Sequence, residues 1–250
     1  MNSRLQPLSP EQHLGMGLRT DKDWTFCQTL DAAPIALTEF ANMVGSQPIV
    51  FSIGPMPQPL AIFGMQPGKN DFLDLQHQWP AHYTVPNVLL HHPFSIAQDQ
   101  DNPKRAVMCV DTTASRFVPL EDDESALPLF TFDGRPTPML SGITQQLGAH
   151  WSALQEAIAF GQALNKAGLL EDVCGNVRLS DGSTHTTRTF RRVNASAFRA
   201  LPEAELTRWF RQGWTDAIAL HLASLNRWMQ LFERHQRSNL VMSPKAHDGE

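Results

Sequence analysis

At 250 residues, with 42% apolar and 18% charged side chains, the chain has the makeup of a globular protein long enough to bury a substantial core. A formal charge of -5, with no Lys/Arg stripe, argues against a nucleic-acid partner held through phosphate contacts. Three widely spaced cysteines, Cys27, Cys109 and Cys174, suit reduced core thiols better than a disulfide framework, and no apolar run approaches the length of a bilayer span.

Residues 1–22 carry Pro7, Pro10, Gly15 and Gly17 with little periodicity and are expected as an arm. The beginning of the chain lacks the apolar region of a secretory signal, so a cytoplasmic location is expected. Residues 34–44 place Ile35, Phe40 and Met43 near one face and predict a helix with Pro34 at its first position. The runs IVFSI (49–53) and LAIFGM (60–65), separated by GPMPQP, predict a strand pair. Residues 66–105 are rich in proline yet hold Phe72, Trp79, Tyr83 and Phe94, which would pin a long loop to the core. AVMCV (106–110) and LPLFTF (127–132) predict further extended pieces, the latter closed by Asp133-Gly134. The acidic run EDDES (121–125) predicts an exposed turn.

Beyond residue 140 the period changes. A stripe from Ile143 through Leu147, Trp151, Leu154 and Ile158 predicts a helix closed at Gly168, and a stripe from Trp214 to Phe232 predicts a second one over 214–235. Between them, 177–193 reads as a hairpin turning at Asp181-Gly182, with Arg188, Arg191 and Arg192 on a solvated face. The order predicts an α+β fold in which an antiparallel or mixed sheet from the N-terminal half is covered by C-terminal helices. The domain is read as 23–237, followed by a mobile tail at 238–250.

Six segments stand in a fixed order: LTEFANMVGSQPIVF (37–51), LLHHPFSI (89–96), AVMCVDTT (106–113), LPLFTFDGRPTPML (127–140), AFGQALNKAGLL (159–170) and IALHLASLNRW (218–228). Together they resemble the SapC family of soluble bacterial proteins, which is distinct from the peptide-uptake permease of the same name. The resemblance implies a protein encoded beside flavin-dependent halogenase-like proteins, outer-membrane receptors and cupin-like proteins, and makes a halogenase-like protein a candidate partner.

Catalytic signatures are sparse. The ten histidines show neither HExxH nor a His-x-Asp with a distal His, and no CxxC pair, GxSxG elbow or Gly-rich phosphate loop occurs, so neither a metal nor a cofactor is expected and turnover is not favoured. His221 lies on the apolar stripe of the last helix, where a histidine needs a partner. It is either a structural hydrogen bonder or a base oriented by Asp111, at the end of a buried strand, where Asp111 could equally cap a turn. His91 and His92 precede Pro-Phe as a pair at a strand end. Trp79, Tyr83, His91, His92 and Asp111 are the candidate lining of a loop-built cleft for a small molecule or a peptide segment. The expected function is that of a cytoplasmic accessory or binding protein. Its rivals are an enzyme using His221 and Asp111, and a structural partner that dimerises through its C-terminal helix.

Overall fold

The computed structural model describes residues 5–98, 106–174, 176–178, 184–186 and 189–242. All strand pairings among them are antiparallel and the later chain is helical, giving an α+β fold. The residues group into two compact units, each assembled from two stretches of chain: 1–26 with 87–155, and 27–86 with 156–250.

The first unit holds two three-stranded sheets. In one, Ala106–Asp111 is flanked by Leu5–Pro7 and Phe94–Gln98; in the other, Met16–Leu18 is flanked by Phe117–Pro119 and Leu127–Pro128. The stretch expected as an arm therefore supplies two strands. Gly17 explains how Met16–Leu18 fits at the centre of its sheet: a side chain there would meet Leu120 and Ala126 at 2.6 and 3.0 Å. Leu18, Phe94, Val110, Phe117, Leu129, Leu140 and Leu147 form the buried cluster of this unit.

The second unit is built on one five-stranded sheet, in the order Leu170–Val173, Phe190–Val193, Ile49–Phe51, Pro59–Ile62, Ala32–Pro34. Three of its strands come from the first 140 residues, as expected, and the C-terminal half adds the other two. The Ile49–Phe51/Pro59–Ile62 pair forms where predicted, with Gly54 at a positive φ of 109° in the connection. Pro34 ends a strand and begins no helix. The predicted 34–44 helix shrinks to a 3-10 turn, Leu37–Glu39, and one helical turn, Phe40–Met43, because Ala32–Pro34 pairs with Pro59–Ile62. Arg191 and Arg192 are solvent-side, each paired across the register at 2.7 Å, with Asp172 and Glu171 respectively. Arg188 and the Asp181-Gly182 turn lie outside the described residues; the flanking strands Asn176–Arg178 and Thr184–Thr186 pair antiparallel.

The helix Pro138–Lys166 starts earlier than its apolar stripe, capped by the Thr137 hydroxyl, which accepts from Leu140 N at 3.3 Å. It contributes Leu140 and Leu147 to the first cluster and Phe160 and Leu164 to the second, where they join Phe40, Phe51, Trp209 and Ile218. Gly161 follows from close packing, since a Cβ there would lie 1.9 Å from the Pro57 carbonyl oxygen. Gly168, at φ 67°, closes this helix as predicted.

The predicted 214–235 helix is instead two helices, Trp214–Ser224 and Trp228–Met242, joined by a 3-10 turn. Ser224 supplies the cause. Its hydroxyl back-bonds the His221 carbonyl at 2.6 Å and accepts the Ile49 N–H at 2.9 Å, which tightens the turn against the sheet. The second helix runs to Met242, so the first five residues of the expected tail are helical, and 243–250 lie outside the described residues. No helix among the described residues is long and apolar enough to cross a membrane.

Candidate functional site

A dense polar constellation in the second unit grows out of the segment Lys69–Phe72. Gly64 allows this segment to fold back, because a side chain at Gly64 would sit 1.9 Å from the Lys69 carbonyl oxygen. Asn70 then fixes the loop: its amide donates to the Cys27 carbonyl at 3.1 Å and its carbonyl accepts Phe72 N–H at 2.9 Å. The consequence is that Asp71 points inward, with a fully buried side chain.

Asp71 is met there by the last helix. The His235 ring donates from Nδ1 to its two oxygens at 3.1 and 3.0 Å, Ser238 Oγ donates to Oδ1 at 3.2 Å, and Met65 N–H donates to Oδ2 at 2.9 Å. Lys69 Nζ lies 3.4 Å from the carboxylate and donates to Ser238 Oγ at 2.8 Å. Burial pushes the Asp71 carboxyl up, but the bonds from His235 and Met65 and the His235 and Lys69 charges outweigh it and hold it below its ordinary value. Asp71 is thus a buried anion at neutral pH.

Arg234 completes the arrangement. Its Nε and Nη2 donate to the carbonyls of Asp71 and Phe72 at 3.3 and 3.0 Å, while the guanidinium lies over the Phe72 and Tyr83 rings at 4.7 and 4.4 Å. Four contacts fix its plane, yet among the described residues Nη1 donates to no acceptor. On the helix, Arg234, Arg237 and Ser238 stand at i, i+3 and i+4 and share a face. They border a cleft of about 580 Å³, within the size range of small-molecule sites. A smaller hollow of about 110 Å³ beside the stacked Phe190 and Trp228 rings is mostly apolar. It has fewer polar groups with which to orient a ligand.

A family model described as SapC matches residues 8–231. The chain belongs to the SapC family. No curated protein and no solved structure matches it.

In this SapC chain the sequence-derived candidates fall into three places. Trp79 and Tyr83 are in the second unit and both pack on Phe72, at ring distances of 5.5 and 5.0 Å, so they form the aromatic backing of Arg234. His91, His92 and Asp111 are in the first unit. His92 stacks on Phe26 at 3.7 Å, and its Nε2 lies 3.9 Å from Asp111 Oδ2. Its Nδ1 is buried with no acceptor or donor among the described residues. Burial pushes His92 down, the Asp111 charge opposing and Arg116 adding to the shift; burial and then the His150 charge lower His91. Both are neutral at pH 7. Asp111 Oδ1 accepts from Thr113 N–H and hydroxyl at 2.9 and 2.7 Å, the Asx turn weighed as its alternative role.

His221 is fully buried in the second unit. Val193 N–H donates to its Nε2 at 3.0 Å, so Nε2 must be the unprotonated nitrogen; Nδ1–H then donates to the Ile49 carbonyl at 2.8 Å. Burial pushes its pKa down to about 4, with the Ile49 carbonyl opposing and Arg192 adding to the shift. Both nitrogens serve neighbouring strands, and none is left for a substrate. Asp111 lies in the other unit and has its own partners. Trp209 and Trp214 meet edge to face at 5.5 Å beside the second core cluster, as helical tryptophans usually do. Among the described residues no group of three His, Cys, Asp or Glu side chains is placed to hold a metal ion.

Sequence reasoning missed Lys69, Asp71, Arg234, His235 and Ser238. The usable signal is a histidine, His235, in helical register with the apolar stripe at Met229 and Phe232, which demands a buried partner just as His221 does.

Proposed function

We propose that this SapC family member is a cytoplasmic accessory protein that binds a small molecule or a peptide segment in the cleft between Lys69 and Arg234. The observation that carries the reading is Arg234: a guanidinium fixed by two carbonyls and two aromatic faces, bordering a cleft, with one nitrogen that has no protein acceptor among the described residues. A halogenase-like protein is the partner class that the family resemblance implies. The enzyme reading gains no support from His221, whose ring is consumed by backbone groups.

The test is a fragment library screened by ligand-observed NMR, with hits mapped on the backbone amides of labelled full-length protein. Hits that shift Lys69, Asp71 and Ser238 are expected. Hits that gather elsewhere, or none at all, would sink the binding-cleft reading. We also propose that the chain works as one domain, with the expected 23–237 core extended by the strands of residues 5–18, since the family match spans residues of both units and one helix contributes to both core clusters. A single calorimetric transition is expected, whereas two resolved transitions would refute it.

A further inference from the structure

We infer that the cleft in the second unit recognises a carboxylate attached to an apolar body, the class that includes medium-chain fatty acids. This deepens the binding reading and rests on it.

The charge balance selects the head group. Lys69, Arg234 and Arg237 border the cleft against two carboxylates, Asp71 and Asp74, which leaves one positive charge over. Asp71 is already occupied by Lys69, His235, Ser238 and Met65 N–H. Asp74 is drawn into its own turn, where Oδ1 accepts Gln76 and Gln78 N–H at 2.9 and 2.8 Å. Both anions are therefore spoken for within the protein. Of the cations, Lys69 is committed to Asp71 and Ser238, while Arg237 reaches Glu233 only at 3.7 Å on an exposed surface. Arg234 is the fixed one. Its planar Nη1 edge matches a planar, singly charged oxyanion, and a dianionic phosphate would exceed the surplus charge.

The flanking residues select the tail. Leu73 and Leu75 line the same cleft, and Leu75 is 65% exposed, so its side chain is open to a ligand lying in it. His77, held at a positive φ of 57°, closes the turn that presents Leu75. A ligand with its carboxylate on Arg234 and a hydrocarbon chain along Leu73 and Leu75 would use both ends of the cleft.

The experiment titrates octanoate, octanamide, octyl phosphate and acetate into full-length labelled protein and follows the amides of Lys69, Asp71, Leu75 and Ser238. Octanoate is expected to bind at least about tenfold more tightly than each of the other three. Equal affinity for octanamide would overturn the carboxylate assignment while leaving a cleft that binds apolar chains. Equal or tighter binding of octyl phosphate would overturn the charge argument. If acetate matched octanoate, the apolar arm of the inference would fall. Should none of the four shift these amides while neutral fragments do, the inference fails and the binding reading survives; if nothing shifts them, both fail. Arg234→Gln is expected to erase the preference for octanoate over octanamide. Because Arg234 also ties down two carbonyls, Leu75→Ser serves as a second variant. It lies on an exposed side chain and is expected to weaken octanoate several-fold without changing acetate.

Discussion

His221→Ala is expected to lower the stability of the protein by about 3–5 kcal/mol at neutral pH, read as the loss of midpoint in denaturant titration. The substitution removes a fully buried ring that meets Phe51 edge to face at 5.1 Å. It also strands Val193 N–H and the Ile49 carbonyl, each at a cost of about 1–3 kcal/mol when left buried without a partner. A loss below about 1 kcal/mol would show that the bridge between these two strands is dispensable. The same ring makes a prediction about acid. With its pKa lowered from 6.5 to about 4, His221 is neutral in both folded and unfolded chains above pH 6.5. As the pH falls from 6.5 toward 4, the unfolded chain takes up the proton first and is favoured, so stability falls, by roughly 3 kcal/mol in total. His91, His92 and His150, also lowered, act in the same direction. In His221→Ala only the His221 part of the acid slope disappears.

Asp71→Ala is expected to cost a similar amount, about 3–5 kcal/mol, because it removes one member of a buried ion pair and leaves the others in place. The His235 ring and Met65 N–H lose the carboxylate they donate to, while Ser238 Oγ and the Lys69 ammonium lose one of two acceptors, the His235 carbonyl and Ser238 Oγ remaining to them. The effect reaches the cleft, since Arg234 is anchored on the backbone carbonyls of this segment. Thermal denaturation of Asp71→Ala and of Asp71→Asn measures it. The asparagine variant keeps the shape but puts an amide where Asp71 accepts several donors, so it should recover only part of the loss. An Asp71→Asn variant as stable as the wild type would mean that the buried charge contributes nothing. Since the folded-state pKa of Asp71 is lowered, its contribution is present at neutral pH and fades only in strong acid, as the pH drops below the ordinary carboxylate range and through that lowered value.

The sequence told most where one periodicity dominated. Ile49–Phe51 and Ala106–Asp111 were legible as strands because their apolar runs are bounded by breakers or turns, and Gly168 marked the end of its helix correctly. Pairing across long sequence distances was not legible. Phe190–Val193 joins the sheet through Arg191 opposite Phe51, a register that no local pattern encodes. The break at Leu225–Arg227 was hidden because the apolar stripe continues in register through it; the cause is a serine hydroxyl that binds a distant strand. Of the candidate site, the aromatics Trp79 and Tyr83 were legible from their place in a proline-rich loop, and they back Arg234. The polar core of the site was missed because its parts, Lys69 and Asp71 on a loop and His235 and Ser238 on the last helix, are far apart in the chain and match no spaced motif.

The interleaving of the two units governs how the chain can be made. Leu5 has its partner at Asp111 and Phe51 has one at Arg191, so on the ribosome each waits for more than a hundred further residues. At roughly 5–20 residues per second, that delay is on the order of 5–20 s or more. The nascent protein therefore carries the early strands of both units as open edges through much of its synthesis. During that time the edges that await a distant strand are open to pairing with the wrong partners.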